Sequence, residues 1–431
     1  MHPLKISGAL RMLPPGGAPL PFMAIARAFA DSCKGVAATE ALQAIMANKF
    51  GQKHLFCLSS GRGALALLFM ALRRIQPEKD QILLPAYLSF SVPSAVVRAG
   101  CRVALYDVLP ETLTPDLESV KAALSGRTLA VVAAHQFGLP FDLAPMAALC
   151  RENGAFLVDD AAQVMGATIQ GQMAGTFGDA GIFSLSRGKP ICAVEGGILC
   201  TNDDTLAAAI EALMANTLQQ ASLGRLAAKA VALSLCRRPE IYRIPASLPW
   251  LRLGASIFEP HFGLGQFTDF QASLAIQSFE NIESINARRV EKASLYRQEL
   301  APPGQPIAEQ EGTTPIYLRF PVIPDPTLFG YGASPSENRP SLHAILAKIP
   351  ARSLGISPGF PLALCDIPEL GPHLATKTHC PGARFLAQNC ITLPTHDQVS
   401  ASDALGAVAL VNTALAHMQA AAPVRTSGEA Q

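Results

Sequence analysis

Charge is scarce in this chain of 431 residues, and what there is cancels. Charged residues make up 16% of it, with 34 Lys and Arg against 33 Asp and Glu, for a net charge of +1. No basic or acidic field of the kind that draws nucleic acid follows from such a balance. Aromatics are equally thin, at 6% with a single tryptophan, Trp250. No apolar run reaches the roughly 18–20 residues that span a bilayer, and the first residues lack the charged, apolar, cleavable order of a secretory leader. The ten cysteines form no CxxC pair, and several lie in apolar runs where thiols are buried. Together these absences exclude a disulfide framework and a zinc site and point to a reducing, cytoplasmic setting, with no metal expected.

What the chain has is apolar mass: 49% hydrophobic residues, enough for a large core, and a length suited to a large and a small domain. Short runs apolar on both faces alternate with helical stretches. LFCLSS, QILLPAY, CRVALYDV, LAVVAAHQF and AFLVDDAAQ read as strands, separated by ALALLFMALRRI, SFSVPSAVVRAG, DLESVKAAL and LAPMAALCRENG. This alternation predicts a mostly parallel sheet covered by helices. In such sheets ligands sit at the carboxyl ends of the strands. The Gly61 turn, Tyr87, His135 and Asp160 all fall at those ends and are expected on one rim.

The division expected is an N-terminal arm over 1–34, a large α/β domain over 35–265, a long helix from 266 to 300 opening a small α+β domain that runs to 420, and a disordered tail over 421–431. Within the large domain, about 217–258 reads as a helical, basic insertion. Its part 229–252, with basic residues and Trp250 beside a short apolar helix, suits a peripheral contact with a lipid surface; read plainly, it is a helical cover or an oligomer contact.

Chemistry concentrates between residues 158 and 197. LFCLSS runs through Gly61-Arg62-Gly63 into a helix, and a strand, a glycine turn and a helix together can seat an anion; the same pattern also serves as an ordinary turn. Asp160 ends a strand and can partner a protonated ring nitrogen. Lys189 lies between Gly188 and Pro190. A lysine is inert near neutral pH unless desolvated or trapped by a carbonyl. Phosphate cradle, acidic partner and reactive lysine are what pyridoxal 5′-phosphate (PLP) asks of a protein.

The ordered set SSGRGAL, PAYLSFSVPSAVVRAG, YDVLPETL, HQFGLPFDL, VDDAAQVMGA, GTFGDAGIFSLSRGK, EGGILCTND, FTDFQASLAI and PGARFLAQNCITLPTH resembles the DegT/StrS-type family of PLP-dependent aminotransferases over roughly residues 35–415. The resemblance implies the fold type I of PLP-dependent transferases and a homodimer. It implies transfer of an amino group from an amino acid, glutamate first among the donors, to a keto group on a nucleotide-linked sugar or related metabolite, in surface-polysaccharide or secondary-metabolite synthesis. Lys189 falls on the lysine that carries the cofactor and moves the proton, Asp160 on the partner of the ring nitrogen, Gln163 on the contact to the ring oxygen, Ser184 on a phosphate ligand, and Gly61, Arg62 and Gly63 on the phosphate turn. Phe90 is the candidate for stacking on the ring, and Tyr87, His135, Arg187 and Glu195 are candidates for substrate contact. Asp159 is read as a neighbour making backbone or surface contacts, and His396 as a structural hydrogen-bonder.

The chain also departs from the family pattern. Arg62 replaces a small hydroxyl residue, Ser89 stands at the stacking position, and Arg187-Gly188 precedes the lysine. Leu264 stands where a partner-chain asparagine is expected, so that contact is either lost or supplied by Gln266. These departures keep open a degenerate, non-catalytic or membrane-associated scaffold that binds PLP; the other alternative, a PLP sugar enzyme that does not transaminate, is disfavoured by the presence of Lys189.

Overall fold

The structure is a computed structural model and describes residues 11–219, 221–248, 250, 256–329 and 341–420. The expected tail over 421–431, residues 330–340 of the expected small domain and part of the segment 229–252 lie outside the described residues.

In chain order the elements are α1 (Phe22–Cys33), α2 (Ala38–Phe50), β1 (His54–Leu58), α3 (Gly61–Ile75), β2 (Gln81–Pro85), α4 (Ser91–Arg98), β3 (Arg102–Tyr106), α5 (Leu117–Ala123), β4 (Thr128–Ala134), α6 (Ala144–Glu152) and β5 (Phe156–Asp160). Two short strands follow, β6 (Thr168–Ile169) and β7 (Gln172–Met173), then β8 (Ala180–Ser184), β9 (Gly197–Thr201), α7 (Asp204–Thr217), α8 (Leu223–Cys236), α9 (Pro239–Ala246), α10 (Asp269–Phe279) and α11 (Ile282–Glu299). The remainder comprises β10 (Gly304–Pro306), β11 (Thr313–Thr314), β12 (Arg319–Pro324), α12 (Leu342–Leu346), β13 (Ser357–Pro358), α13 (Pro381–Asn389), β14 (Ile391–Pro394) and α14 (Ala401–Ala420).

The central sheet has the strand order β1-β9-β8-β5-β4-β2-β3. The pairs β2/β3, β2/β4, β4/β5 and β5/β8 are parallel, while β8/β9 and β1/β9 are antiparallel. The architecture is therefore α/β with a mostly parallel central sheet, in which β9 alone runs backwards. Its strands are buried because helices cover both faces; every residue of β4 (TLAVVAA) is buried. The reversal of β9 matters for function. It brings Gly196-Gly197 to the rim where β1, β4, β5 and β8 end.

A second, antiparallel sheet of order β10-β12-β14-β13 and a small one of order β11-β6-β7 complete the fold. The expected long helix from 266 to 300 is two helices, α10 and α11. Asn281 separates them: its Nδ2 donates to the Gln277 carbonyl at 2.8 Å, occupying an acceptor of the preceding turn. At the other end of α10, Thr268 and Gln271 form a reciprocal capping box. The stretch after β9 is likewise two helices, α7 and α8.

The arm lies across the second half of the chain. Met12 N donates to the Pro239 carbonyl and Leu13 N to the Ser353 carbonyl, each at 2.9 Å. His396 Nε2 lies 2.8 Å from the Pro14 carbonyl, so His396 is the structural hydrogen-bonder expected. The segment around α8 is a cover, with α8 packed against α1 and α9, while Ile244 and Trp250 stay exposed.

Candidate active site

One rim of the central sheet gathers Gly61, Asp160, Ser184 and Lys189, because six strands end there and β9 begins there. The anion seat comes first. Ser60 caps α3, its Oγ accepting from Gly63 N at 3.0 Å, which leaves the Gly61 and Arg62 N–H groups at the open helix end. A Cβ on Gly61 would stand 3.2 Å from the Ser184 Cβ, so the end of β8 touches this helix start. The Ser184 hydroxyl, 3.1 Å from that of Ser186, completes a polar cradle. Ser186 was not legible as a site residue; it becomes one only through this contact.

Asp160 ends β5 with one carboxylate oxygen accepting from Ala162 N at 3.1 Å and the other without a hydrogen bond among the described residues. Burial holds its carboxyl above the ordinary range, opposed by the Ala162 N–H, Lys189 and His135. Lys189 is half-buried on the loop joining β8 to β9, after Gly188 in the left-handed conformation at φ +78°. Desolvation pulls its amine down to about 8; the Asp160 charge opposes the shift and the Arg319 charge adds to it. The loop is closed at its neck by Leu185 N donating to Gly196 O at 2.9 Å, and Ala193 N to Leu185 O at 2.8 Å. Gln163 accepts from Phe137 N at 3.1 Å through Oε1, leaving its Nε2 donor without a hydrogen bond among the described residues.

Several sequence candidates sit elsewhere than expected. Tyr87 is fully buried, its hydroxyl accepting from Phe360 N at 3.0 Å, so it is a packing residue and not a free substrate contact. His135 is buried too. Its Nε2 lies 3.0 Å from Asp159 Oδ1 without good hydrogen-bond alignment, and its Nδ1 accepts from Phe141 N at 3.3 Å. It stands beneath the rim, not in a cleft. Asp159, fully buried, makes the backbone contacts expected, to Gly175 N (2.9 Å) and Phe177 N (3.1 Å), and no surface contact. Phe90 is 95% buried at the start of α4, with its carbonyl accepting from Ser94 Oγ at 2.7 Å. That burial leaves little ring surface for stacking. The Arg62 guanidinium turns outward, 4.1 Å from the centroid of Phe262. Glu195 is paired with Lys229, and Arg187 is exposed with no ion pair among the described residues. Leu264 is buried within its own chain, 3.6 Å from where a Gly63 Cβ would stand.

Arg289 supports the lysine loop and was missed from the sequence. It is 1% exposed, with NH1 donating to Asn286 Oδ1 at 2.8 Å and NH2 to the Pro190 carbonyl at 3.1 Å, one residue from Lys189. The signal was present in α11. Ile282, Ile285, Asn286, Arg289, Ala293 and Tyr296 share its buried stripe at helical spacing.

Residues 34–411 match the model of the DegT/DnrJ/EryC1/StrS aminotransferase family. The chain belongs to that family. Among curated relatives it is 27% identical over 274 residues to a GDP-perosamine synthase of Vibrio cholerae, covering 63% of this chain and 65% of that one. It is 32% identical over 163 residues to a GDP-perosamine synthase of Caulobacter vibrioides, covering 38% of this chain and 43% of that one. The matched stretches thus span under two thirds of those relatives. Among solved structures, the aminotransferase TlmJ from Streptoalloteichus hindustanus superposes with a TM-score of 0.74 at 23% identity, over 94% of this chain and all of that one. That likeness shows the shared fold. In the DegT/DnrJ/EryC1/StrS family frame, the rim at Lys189 is the candidate site.

Proposed function

We propose that the chain is a PLP-dependent aminotransferase moving an amino group from an amino acid, glutamate first among the candidates, to a keto group on a nucleotide-linked sugar or related metabolite in polysaccharide or secondary-metabolite synthesis. The observation that carries this is the pairing of a half-buried lysine with a lowered pKa and a buried aspartate, beside a helix start open to an anion. The residues fit the cofactor at each edge. The N–H groups of Gly61 and Arg62 and the Ser184 hydroxyl suit its phosphate. The free oxygen of Asp160 suits a protonated ring nitrogen, and the free Nε2 of Gln163 suits the ring oxygen. What bound PLP supplies is an aldehyde that receives the amino group and a ring that withdraws electrons.

The chain's own groups do the rest. A Lys189 amine near pKa 8 is about one tenth neutral at pH 7, far more than an ordinary lysine. Its Nζ is placed to take the proton from the donor's α-carbon and to hold it for return. Asp160 keeps its proton-bearing partner charged once that partner compensates its burial. Arg289 fixes the loop through the Pro190 carbonyl. A homodimer is part of the proposal, as is a cytoplasmic setting, which the ten unpaired cysteines support.

The test is spectroscopic. Protein purified with PLP should show the visible band of a lysine-bound cofactor, and glutamate should bleach it. Lys189→Ala should bind PLP without that band. A wild-type protein with no band, or with one that no amino donor moves, overturns the reading.

A further inference from the structure

We propose that Arg187, Arg319, Arg352 and Tyr242 form a seat for a multiply charged oxyanion carried by one of the substrates, beside Lys189. The inference deepens the aminotransferase reading and rests on it for the word substrate.

Two cavities, of about 330 Å³ and 420 Å³, meet at Pro15, Tyr242 and Arg319. Each is large enough for a small ligand or a substantial part of one. Their charge is lopsided. Arg237 and Lys229 also line the smaller cavity, but each is already neutralised, Arg237 by Asp397 at 2.5 Å and Lys229 by Glu195. Arg187, Arg319 and Arg352 have no ion pair among the described residues. Arg319 has one side-chain hydrogen bond, NH1 to Ser357 Oγ at 3.1 Å. The arm passes over it so closely that a Cβ on Gly16 would stand 3.2 Å from its Nε. All three arginines lie near enough for their charges to act on the Tyr242 phenol, whose hydroxyl has no hydrogen bond among the described residues.

Arg187 and Arg352 are exposed, while Arg319 lies where the two cavities meet without an ion pair, so an anion placed there meets all three guanidinium groups. Guanidinium groups bind phosphate and carboxylate through paired, charge-assisted hydrogen bonds. The seat also adjoins the reacting lysine. Gly188 lines the smaller cavity, and the Arg319 charge reaches Lys189. A substrate held here by its charged end can present its other end to Lys189. The diphosphate of a nucleotide-linked acceptor and the carboxylates of the amino donor both carry this chemistry. Tyr242 comes from α9, so this specificity arises from the helical segment between α7 and α10.

Calorimetric titration with pyrophosphate and with glutarate, on the protein with and without PLP, tests the seat. The wild type should bind at least one of them, more weakly as salt rises. Arg319→Gln combined with Arg352→Gln should weaken that binding about tenfold or more, while Arg238→Gln, whose guanidinium lies over Phe22, should not change it. Pyrophosphate alone assigns the seat to the acceptor, glutarate alone to the donor. Should the double variant fail to fold, the exposed Arg352→Gln and Tyr242→Phe variants carry the same comparison. Binding of neither anion to the wild type, or equal binding by wild type and variants, overturns the proposal. The visible band on the PLP-loaded samples separates the two readings. A missing band counts against the aminotransferase and leaves the titration of the unloaded protein to stand or fall alone.

Discussion

Competing neighbours set the pKa of the Lys189 amine. Desolvation lowers its pKa to about 8, Arg319 lowers it further and Asp160 raises it. Attachment of PLP to the amine should therefore quicken as pH rises and level off above about 8. Asp160→Asn removes the raising charge and should move the half-point of that profile down; Arg319→Gln should move it up. Absorbance-monitored loading across pH 6–10 measures both, and a profile insensitive to either change would break the account. His396 makes a second residue-scale prediction. Burial lowers its folded pKa from 6.5 to about 4. Between those values the unfolded chain holds a proton that the folded chain does not. Stability is thus unaffected above pH 6.5 and is lost as pH falls towards 4, by about 3 kcal/mol at the lower limit. Denaturant midpoints for the wild type and His396→Gln at pH 7 and pH 4.5 should diverge in their pH dependence, the variant being the flatter.

Among the elements, close approaches at glycine make the sharpest demands. A Cβ on Gly181, in the middle of β8, would stand 1.8 Å from the Gly175 carbonyl oxygen. Gly181→Ala should cost on the order of 3 kcal/mol, read as a lowered melting temperature. Gly61→Ala meets the Ser184 Cβ at 3.2 Å, a contact that a small shift relieves. It should leave the melting temperature of the unloaded protein nearly unchanged and weaken PLP binding about tenfold, by pushing Ser184 from the start of α3. Equal effects of the two substitutions on stability would argue against the cradle. The strands and this helix start were legible because their signals are local: apolar runs and a glycine turn. The break at Asn281 was not, since it depends on one side chain reaching back a turn. Nor was the fate of Tyr87, whose partner Phe360 comes from the far end of the chain.

For the whole molecule the same division holds between local and distant information. The β-α alternation announced the parallel sheet, yet nothing in ILCT betrayed that β9 runs backwards. Arg319 and Tyr242 were invisible as neighbours because only tertiary packing brings β12 and α9 to one place. The arm shows how far such packing reaches. Leu13 and Leu20 are buried, and Arg11 pairs with Asp403 on α14 at 2.5 Å. Deleting residues 1–20 should cost roughly 4 kcal/mol from the two leucines alone. It should also uncover Arg319, seen as faster amide exchange at both arm-facing cavities; unchanged exchange there would mean the arm does not hold them closed.

Because β8 and β9 are adjacent antiparallel strands, the segment carrying Lys189 leaves the sheet and re-enters it about one strand spacing away, near 4.8 Å. It is a handle fixed at both ends to the same rigid plate. Residues such as Arg187 and Gly188 can therefore be exchanged without disturbing strand register. That makes 185–196 a natural cassette for grafting: a segment from a relative with another acceptor preference can be spliced in at Leu185 and Gly196 while the plate beneath keeps its shape.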